Sequence, residues 1–501
     1  MFTREKRRNH GDAITAAKRP QRLLLHALIA LVLAAPTPAL AAQHYNLPDL
    51  GSPANAALPP AKADKLGAET VRKMRRRGLV LQDAELTAYI NRLGRKLTKH
   101  TERAPNEFHF FVTDDAAINA FALPGGYIGI NAGLILATHN VSELAAVMAH
   151  EIGHVVQNHI ARQMQEMTPI NWATGAAMLA ALAAGIASGN PDVAPAAMGL
   201  GAAGNYQAHV DYTRADEMEA DHVGIRILAQ SGFNPMGMVT FFQRLQNETR
   251  LYGNQIPAIL QTHPVTSVRI AEARERAEKY PSVHLKPDLA YELMRARTRV
   301  VSASNASDAE DYFRKQHRNH PHSQPAAYGY ALALDQAAKH EQAIHLLRPL
   351  LHAHPDNLHY RMALADAELG AGDAKQAVSL LSAALKAHGK YAPLVLAYAN
   401  ALLRDHQSQQ ARDVLTSSGS QIFDKPQARK LLAQAAAQQG RTGEAYYQRA
   451  EYYRLEGRRH TAIDQLKTAL KLPNLSGDDR DRIKARLQQL EQRAKKQKEN
   501  G

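Results

Sequence analysis

Three alanines in the second half of this 501-residue chain, Ala343, Ala377 and Ala411, stand 34 residues apart. Each is followed at the same offsets by aliphatic residues: first Leu346, Leu380 and Val414, then Leu347, Leu381 and Leu415. A recurrence of that length predicts pairs of antiparallel helices, because one pair cannot bury its apolar face alone and must stack on the next. Beyond about residue 300 the chain is therefore expected to form an α-solenoid with a concave groove for a peptide or partner protein. A further unit carries Ala450, Tyr453, Gly457, Ala462 and Leu466, and a polar terminal helix then caps the stack. The run Ser302-Ala303-Ser304-Asn305-Ala306-Ser307 reads as the linker that precedes it.

The first half is governed by His150-Glu151-Ile152-Gly153-His154. On a helix, the two imidazoles lie one turn apart on one face, near enough to share one zinc ion, with Glu151 beside the open position. There it takes a proton from a metal-bound water and hands it to a leaving amine. Asn140 and Glu143 form a capping box, and Leu144, Val147, Met148, Ile152, Val155 and Val156 give the helix a broad apolar face. The histidines thus sit on a buried or half-buried helix, where a polar group needs a partner.

A hydrolytic zinc usually takes three protein ligands and keeps one position for water. The extended motif with a third His six residues after the second is excluded by Ile160, and His159 is one residue off it. The better candidate is Arg214-Ala215-Asp216-Glu217-Met218-Glu219-Ala220-Asp221 on another helix, where Glu217 and Asp221 share a face and Glu219 points away. Glu217 then ligates the metal, and Asp221 accepts a hydrogen bond from a ligand histidine and fixes its tautomer.

These two motifs resemble the signature of gluzincin proteases of the CAAX prenyl protease and HtpX superfamily. Within it the chain is most similar to the periplasmic type that joins such a domain to tetratricopeptide repeats. The likeness extends to Asn46-Leu47-Pro48-Asp49-Leu50-Gly51, Ile118-Asn119-Ala120-Phe121-Ala122 with Gly125-Gly126, and Thr262-His263-Pro264. The resemblance implies that His150, His154 and Glu217 bind Zn2+ and that Glu151 is the general base. It also implies that His263 approaches the zinc and holds the enzyme latent, with donation to the transition-state oxyanion as a second role; Arg269 would support either through a carboxylate contact.

Ahead of the metal helix, Phe108, Phe110 and Val112 alternate with His109 and Phe111 as a strand, and Gly125-Gly126-Tyr127-Ile128-Gly129-Ile130 follows as a turn and second strand. A strand beside a zinc helix is suited to pairing with extended substrate backbone, which selects unfolded chain rather than side chains. The Ala/Gly-rich run 173–204 is expected to be a packed or covering element, with a lid or membrane contact as the other readings.

At the start, seven Lys or Arg precede an apolar core from Leu23 to Leu33, and Ala39-Leu40-Ala41 completes a cleavage site, so residues 1–41 read as a signal peptide leading to the periplasm. The chain has no Cys, which rules out disulfide staples and lipidation at cysteine. Its net charge of +14 falls to about +9 once the leader's seven positive and two negative charges are removed. No nucleic-acid motif accompanies that charge, so it points to peripheral contact with anionic membrane or with outer-membrane assembly components.

The expected fold is mainly α: a gluzincin-type zinc metalloprotease domain with a small β-sheet over 42–300, then a tetratricopeptide solenoid over 308–490. The expected function is a periplasmic zinc endopeptidase that degrades misassembled or stalled outer-membrane proteins. By resemblance it also has a chaperone-like role in their assembly, with the assembly machinery as partner through the repeats. The competing reading is a non-proteolytic repeat scaffold or chaperone with a structural zinc.

Overall fold

The computed structural model describes residues 56–166, 212–252 and 257–499, apart from 282, 284–286, 390 and 474. The expected signal peptide, the Asn46–Gly51 motif and the Ala/Gly-rich run 173–204 lie outside the described residues.

Two amphipathic helices, α1 (Pro60–Arg76) and α2 (Ala84–Thr98), lead into three short strands, β1 (His109–Thr113), β2 (Ala120–Leu123) and β3 (Tyr127–Asn131). The sheet order is β1-β3-β2, with β1 parallel and β2 antiparallel to β3. The outer side of β1 is already taken: Leu81 donates to the Val112 carbonyl at 2.9 Å and Asp114 to that of Leu79 at 3.0 Å. Among the described residues no strand pairs with the other side of β2.

Helix α3 (Ala132–Ala137) then turns the chain into α4 (Val141–Val156), which carries the histidine motif. Asn140 caps it by accepting the Glu143 amide at 3.1 Å. The Glu143 carboxylate reaches one residue further back than a capping box requires, to the His139 amide at 2.7 Å, and is clamped by Arg244 at 2.6 Å. Fifteen of the sixteen residues of α4 are buried, so the helix is the centre of the domain rather than a surface element with one apolar face. Around it pack α5 (His159–Glu166), α6 (Arg214–Gln230), α7 (Met236–Tyr252), α8 (Ala258–Thr262), α9 (Ser267–Glu278) and α10 (Leu289–Val301).

The solenoid follows as α11 (Ala306–Asn319), α12 (Gln324–Gln336), α13 (His340–Ala353), α14 (Leu358–Ala371), α15 (Ala374–His388), α16 (Ala392–Arg404), α17 (Ser408–Ser417), α18 (Ser420–Phe423), α19 (Pro426–Gln438), α20 (Thr442–Leu455), α21 (Arg459–Leu470) and α22 (Gly477–Glu499). Ala343, Ala377, Ala411, Leu347, Leu381 and Leu415 are all fully buried, as the 34-residue recurrence predicts. Positive φ angles recur in the same register at Ala338, Gly372, His406 and Gly440, each in the turn between the two helices of a pair. That register continues through α19 and α20, with buried Ala445 in the alanine position. This pair escaped the sequence pattern because Gln448 and Arg449 stand where the earlier repeats have aliphatic residues. The Gln448 carboxamide is buried instead against Arg429, whose Nη1 donates to its Oε1 at 2.9 Å.

The segment from Ser302 to Asn305 is a short turn in which Asn305 caps α11, accepting the Asp308 amide at 2.9 Å. One continuous apolar core runs from Leu86 and Ile90 of α2 through α4 and α10 to Tyr328, Tyr360 and Leu364 of the repeats. Among the described residues no helix is long and apolar enough to cross a membrane.

Candidate metal centre

Helices α4 and α6 cross closely because Gly153 has no side chain: a Cβ there would lie 2.9 Å from the Ala220 carbonyl oxygen. The close approach brings Glu217 and Asp221, one turn apart on α6, against His150 and His154. A third element supplies His263, which follows α8. The result is a buried group of four donor side chains, His150, His154, Glu217 and His263, whose ligating atoms lie within 4.8 Å of one another.

The separations within this group decide what it suits. His150 Nε2 and His154 Nε2 face each other at 3.0 Å, His154 Nε2 lies 3.4 Å from Glu217 Oε1, and His150 Nε2 lies 3.5 Å from Glu217 Oε2. His263 Nδ1 is 3.4 Å from His150 Nε2 and 2.7 Å from Glu217 Oε1. Tetrahedral ligands at zinc–nitrogen distances of roughly 2.0–2.1 Å stand about 3.3 Å apart. Two Nε2 atoms facing each other 3.0 Å apart repel unless a proton or a cation lies between them. The donor set therefore fits a single divalent ion such as zinc.

The surrounding polar contacts orient these donors. His150 Nδ1 meets Asp221 Oδ1 at 2.9 Å. Arg269 fixes that carboxylate, Nε donating to Oδ2 at 2.8 Å and Nη2 to Oδ1 at 2.9 Å. Its Nη1 reaches Glu217 Oε2 at 2.7 Å and the Pro264 carbonyl at 2.8 Å, so one guanidinium ties both α6 carboxylates to the His263 loop. Burial alone would lower the pKa of His150, but hydrogen bonds and charge from Asp221 and Glu217 raise it to about 10. Glu217 is held well below the usual carboxylate range by His263, His150 and His154, which outweigh its burial. The two α6 carboxylates thus demand positive charge at this spot.

Glu151 is fully buried, and neither carboxylate oxygen has a formed hydrogen bond among the described residues. Burial pushes its pKa up, and the charges of His263 and His150 only partly offset this. A carboxylate kept this poor in partners is a ready proton acceptor. It sits by the backbone of Ala122, because β2 packs on α4. Among the described residues the strand beside the motif helix that keeps an unpaired edge is therefore β2, not the run from Phe108 to Val112 or its partner, since β1 has both sides occupied and β3 is central.

Two further groups bear on the site without having been read from the sequence. Asn158, at φ 54°, turns the chain after α4 so that His159 folds back, and its Nδ1 meets His154 Nδ1 at 2.7 Å. His159 Nε2 in turn meets Glu219 Oε2 at 3.1 Å and lies 3.5 Å from Asp216 Oδ1, so Glu219 points away from the donors but toward a residue that holds one of them. Asn158, the residue after the C-cap Gln157, is a helix-terminating signal from which this return could have been read. Tyr212 stacks on His154 with ring centroids 3.9 Å apart and on His263 at 5.4 Å. An aromatic one residue before the capping Thr213 gives no such hint.

Known proteins agree with this architecture. The model of peptidase family M48 matches residues 82–277, and tetratricopeptide repeat models match 301–367 and 368–435. The chain is 35% identical to the beta-barrel assembly-enhancing protease of Escherichia coli (strain K12), over 94% of this chain and 97% of that protein. It is 33% identical to the protein of that name from Yersinia pestis, over 89% and 91% of the two chains. The metalloprotease LoiP of Escherichia coli (strain K12) is 29% identical over 38% of this chain and 69% of its own length. Family model, donor set and near full-length identity converge: the chain belongs to the beta-barrel assembly-enhancing proteases, M48 metalloproteases joined to tetratricopeptide repeats.

Proposed function

We propose that this protein is a zinc endopeptidase of the periplasm that cleaves unfolded or misassembled outer-membrane proteins, with its repeats engaging clients and the assembly machinery. The observation that carries the reading is the convergence of His150, His154 and Glu217 beside the buried carboxylate of Glu151, which has no formed hydrogen bond among the described residues. The name of the relatives, beta-barrel assembly-enhancing protease, supports the class of client, and the basic and apolar leader supports the compartment. When bound, zinc would supply Lewis-acid polarisation of the scissile carbonyl and acidify a water. Glu151 takes the proton and passes it to the leaving amine. The edge of β2 that no described strand occupies lies beside Glu151 and aligns an extended client through backbone hydrogen bonds. In this reading the protease domain spans 42–300 and the repeats 308–490.

His263 fills the fourth position of the donor set and holds the resting enzyme latent, and Arg269 secures its loop through the Pro264 carbonyl. Four protein donors are also what a structural zinc site has, which favours, as a second reading, a repeat scaffold that does not cleave. His263→Ala separates the two. The variant is expected to cleave unfolded casein about tenfold faster or more, because a competing ligand is removed. Chelation should abolish that activity, and added zinc should restore it. Zinc-loaded wild type and variant that both leave casein intact would establish the scaffold.

His159 acts as the counterpart of Asp221. With Glu219 accepting from Nε2–H of His159, and His159 Nδ1 accepting from Nδ1–H of His154, the Nε2 lone pair of His154 is left for the metal. His159→Ala is expected to weaken zinc binding by about 10–100-fold, read by competition with a chelator of known affinity. An unchanged affinity would show that packing alone orients His154.

A further inference from the structure

Away from the metal centre, α1 of the protease domain meets the last repeats around a cavity of 570 Å³. Seven Lys or Arg side chains line it: Arg72, Lys73 and Arg76 from α1, Arg454, Arg458 and Arg459 at the α20–α21 corner, and Arg493 from α22, with His460 beside them. Among the described residues the only acid in its wall is Glu69. Outside the wall, Glu451 pairs with Arg454 at 3.0 Å and also with Arg486 at 2.7 Å, so it is shared. Burial lowers the pKa of Arg72, and the charges of Arg459 and Arg454 add to the effect against Glu69 and Tyr127. Like charges gathered in one wall repel unless an anion joins them.

The corner is built to sit there. Gly457 packs so closely on α1 that a Cβ would lie 3.1 Å from the Arg72 carbonyl oxygen, and Arg76 Nη1 donates to the Gly457 carbonyl at 3.4 Å. Directly after it α21 begins, with Arg458 at its N-cap position and no side chain capping its amides. Arg459, His460 and Thr461 of its first turn line the same cavity. An uncapped helix N-terminus presents backbone N–H groups and the positive end of the helix dipole to whatever occupies the space. Guanidinium forks suit phosphate oxygens, and the volume exceeds what one phosphate fills.

We propose that this cavity binds an anion carrying two or more phosphate groups, clamped between α1 and the start of α21. Such a ligand bridges protease domain and repeats at the end of the solenoid. A lipid headgroup and a soluble polyphosphate share the chemistry.

The test uses the full chain. Tripolyphosphate is titrated calorimetrically at about 0.15 M salt, where exposed charges beyond about 8 Å are screened. The exposed set Lys73→Glu, Arg458→Glu and Arg493→Glu is expected to weaken binding more than about tenfold, since one charged hydrogen bond accounts for about that factor. A control of equal net charge on the repeats, Lys375→Glu, Lys386→Glu and Arg404→Glu, should leave it unchanged. Neutral Lys73→Gln with Arg493→Gln provides a milder pair, expected to weaken binding in the same direction. Absence of wild-type binding, equal loss in the control, or poly-glutamate bound as tightly as tripolyphosphate would each overturn the site. Given the tripolyphosphate loss, flotation with cardiolipin vesicles assigns the source: vesicle binding lost with the cavity residues means a lipid headgroup, and vesicle binding retained or absent throughout means a soluble anion.

Discussion

A Glu151→Gln protein is expected to cleave unfolded casein about 10²–10⁴-fold more slowly than wild type, the usual contribution of a positioned proton acceptor. It is best made in the His263→Ala background, where cleavage should be readily measured. Three measurements together make the result specific. Zinc content should be unchanged, because Glu151 is outside the group of four converging donors, with Oε1 3.6 Å from His263 Nε2. Thermal stability of the metal-free protein should be equal or higher, since the substitution replaces a fully buried carboxylate without a formed hydrogen bond by a neutral amide of the same shape. Cleavage should not return on adding excess zinc. Loss of zinc together with activity would instead make Glu151 a ligand, and full activity in the variant would remove it from the chemistry.

How much of this was legible in the chain depends on which physical signal carried each part. Helical periodicity showed which residues of each motif share a face, His150 with His154 and Glu217 with Asp221, whereas the meeting of the two faces was read from the combination of the motifs. The repeats were readable for the same reason, wherever burial required an aliphatic residue at a fixed phase. They became invisible at Gln448 and Arg449, where a hydrogen bond from Arg429 replaces apolar packing and leaves no pattern to find. Strand β2 was hidden in a four-residue stretch, Ala120–Leu123, too short for alternation to separate it from a loop. His159 and Tyr212 reach the site through tertiary return of the chain, which local periodicity does not encode. The 302–307 run was composed like a flexible linker, yet Asn305 uses its side chain to cap the next helix, a role that polar residues fill as readily as solvated loops.

Least legible of all was the joint between protease domain and repeats, and it carries the second large effect. Arg297 of α10 is inserted between Asp83 and Glu85 at the start of α2, with Nε 2.8 Å from Asp83 Oδ2 and Nη1 2.7 Å from Glu85 Oε1. The same Nη1 lies 3.3 Å from the Tyr328 hydroxyl of α12, and Glu85 reaches on to His359 of α14 at 2.5 Å. Half-buried Asp366 faces this group, and its burial, reinforced by Glu85, Asp335 and Asp83 and opposed by Arg297, pushes its pKa up to about 7. One guanidinium thus holds two carboxylates at the seam of two structural units. Removing it leaves Asp83 and Glu85 in a low-dielectric seam with His359 alone against them, and breaking a buried ion pair in this one-sided way costs about 3–5 kcal/mol. Arg297→Ala is therefore expected to lower the free energy of unfolding by that amount, read as a lower midpoint of chemical denaturation at unchanged slope, and to expose the 302–305 turn to limited proteolysis before the rest unfolds. Arg297→Met together with Asp83→Leu and Glu85→Leu should recover much of the loss, because an apolar seam has no unpaired charge. If Arg297→Ala melts like wild type and resists cleavage at 302–305, the continuous apolar core from α2 to Tyr360, rather than this ion cluster, is what joins the two units.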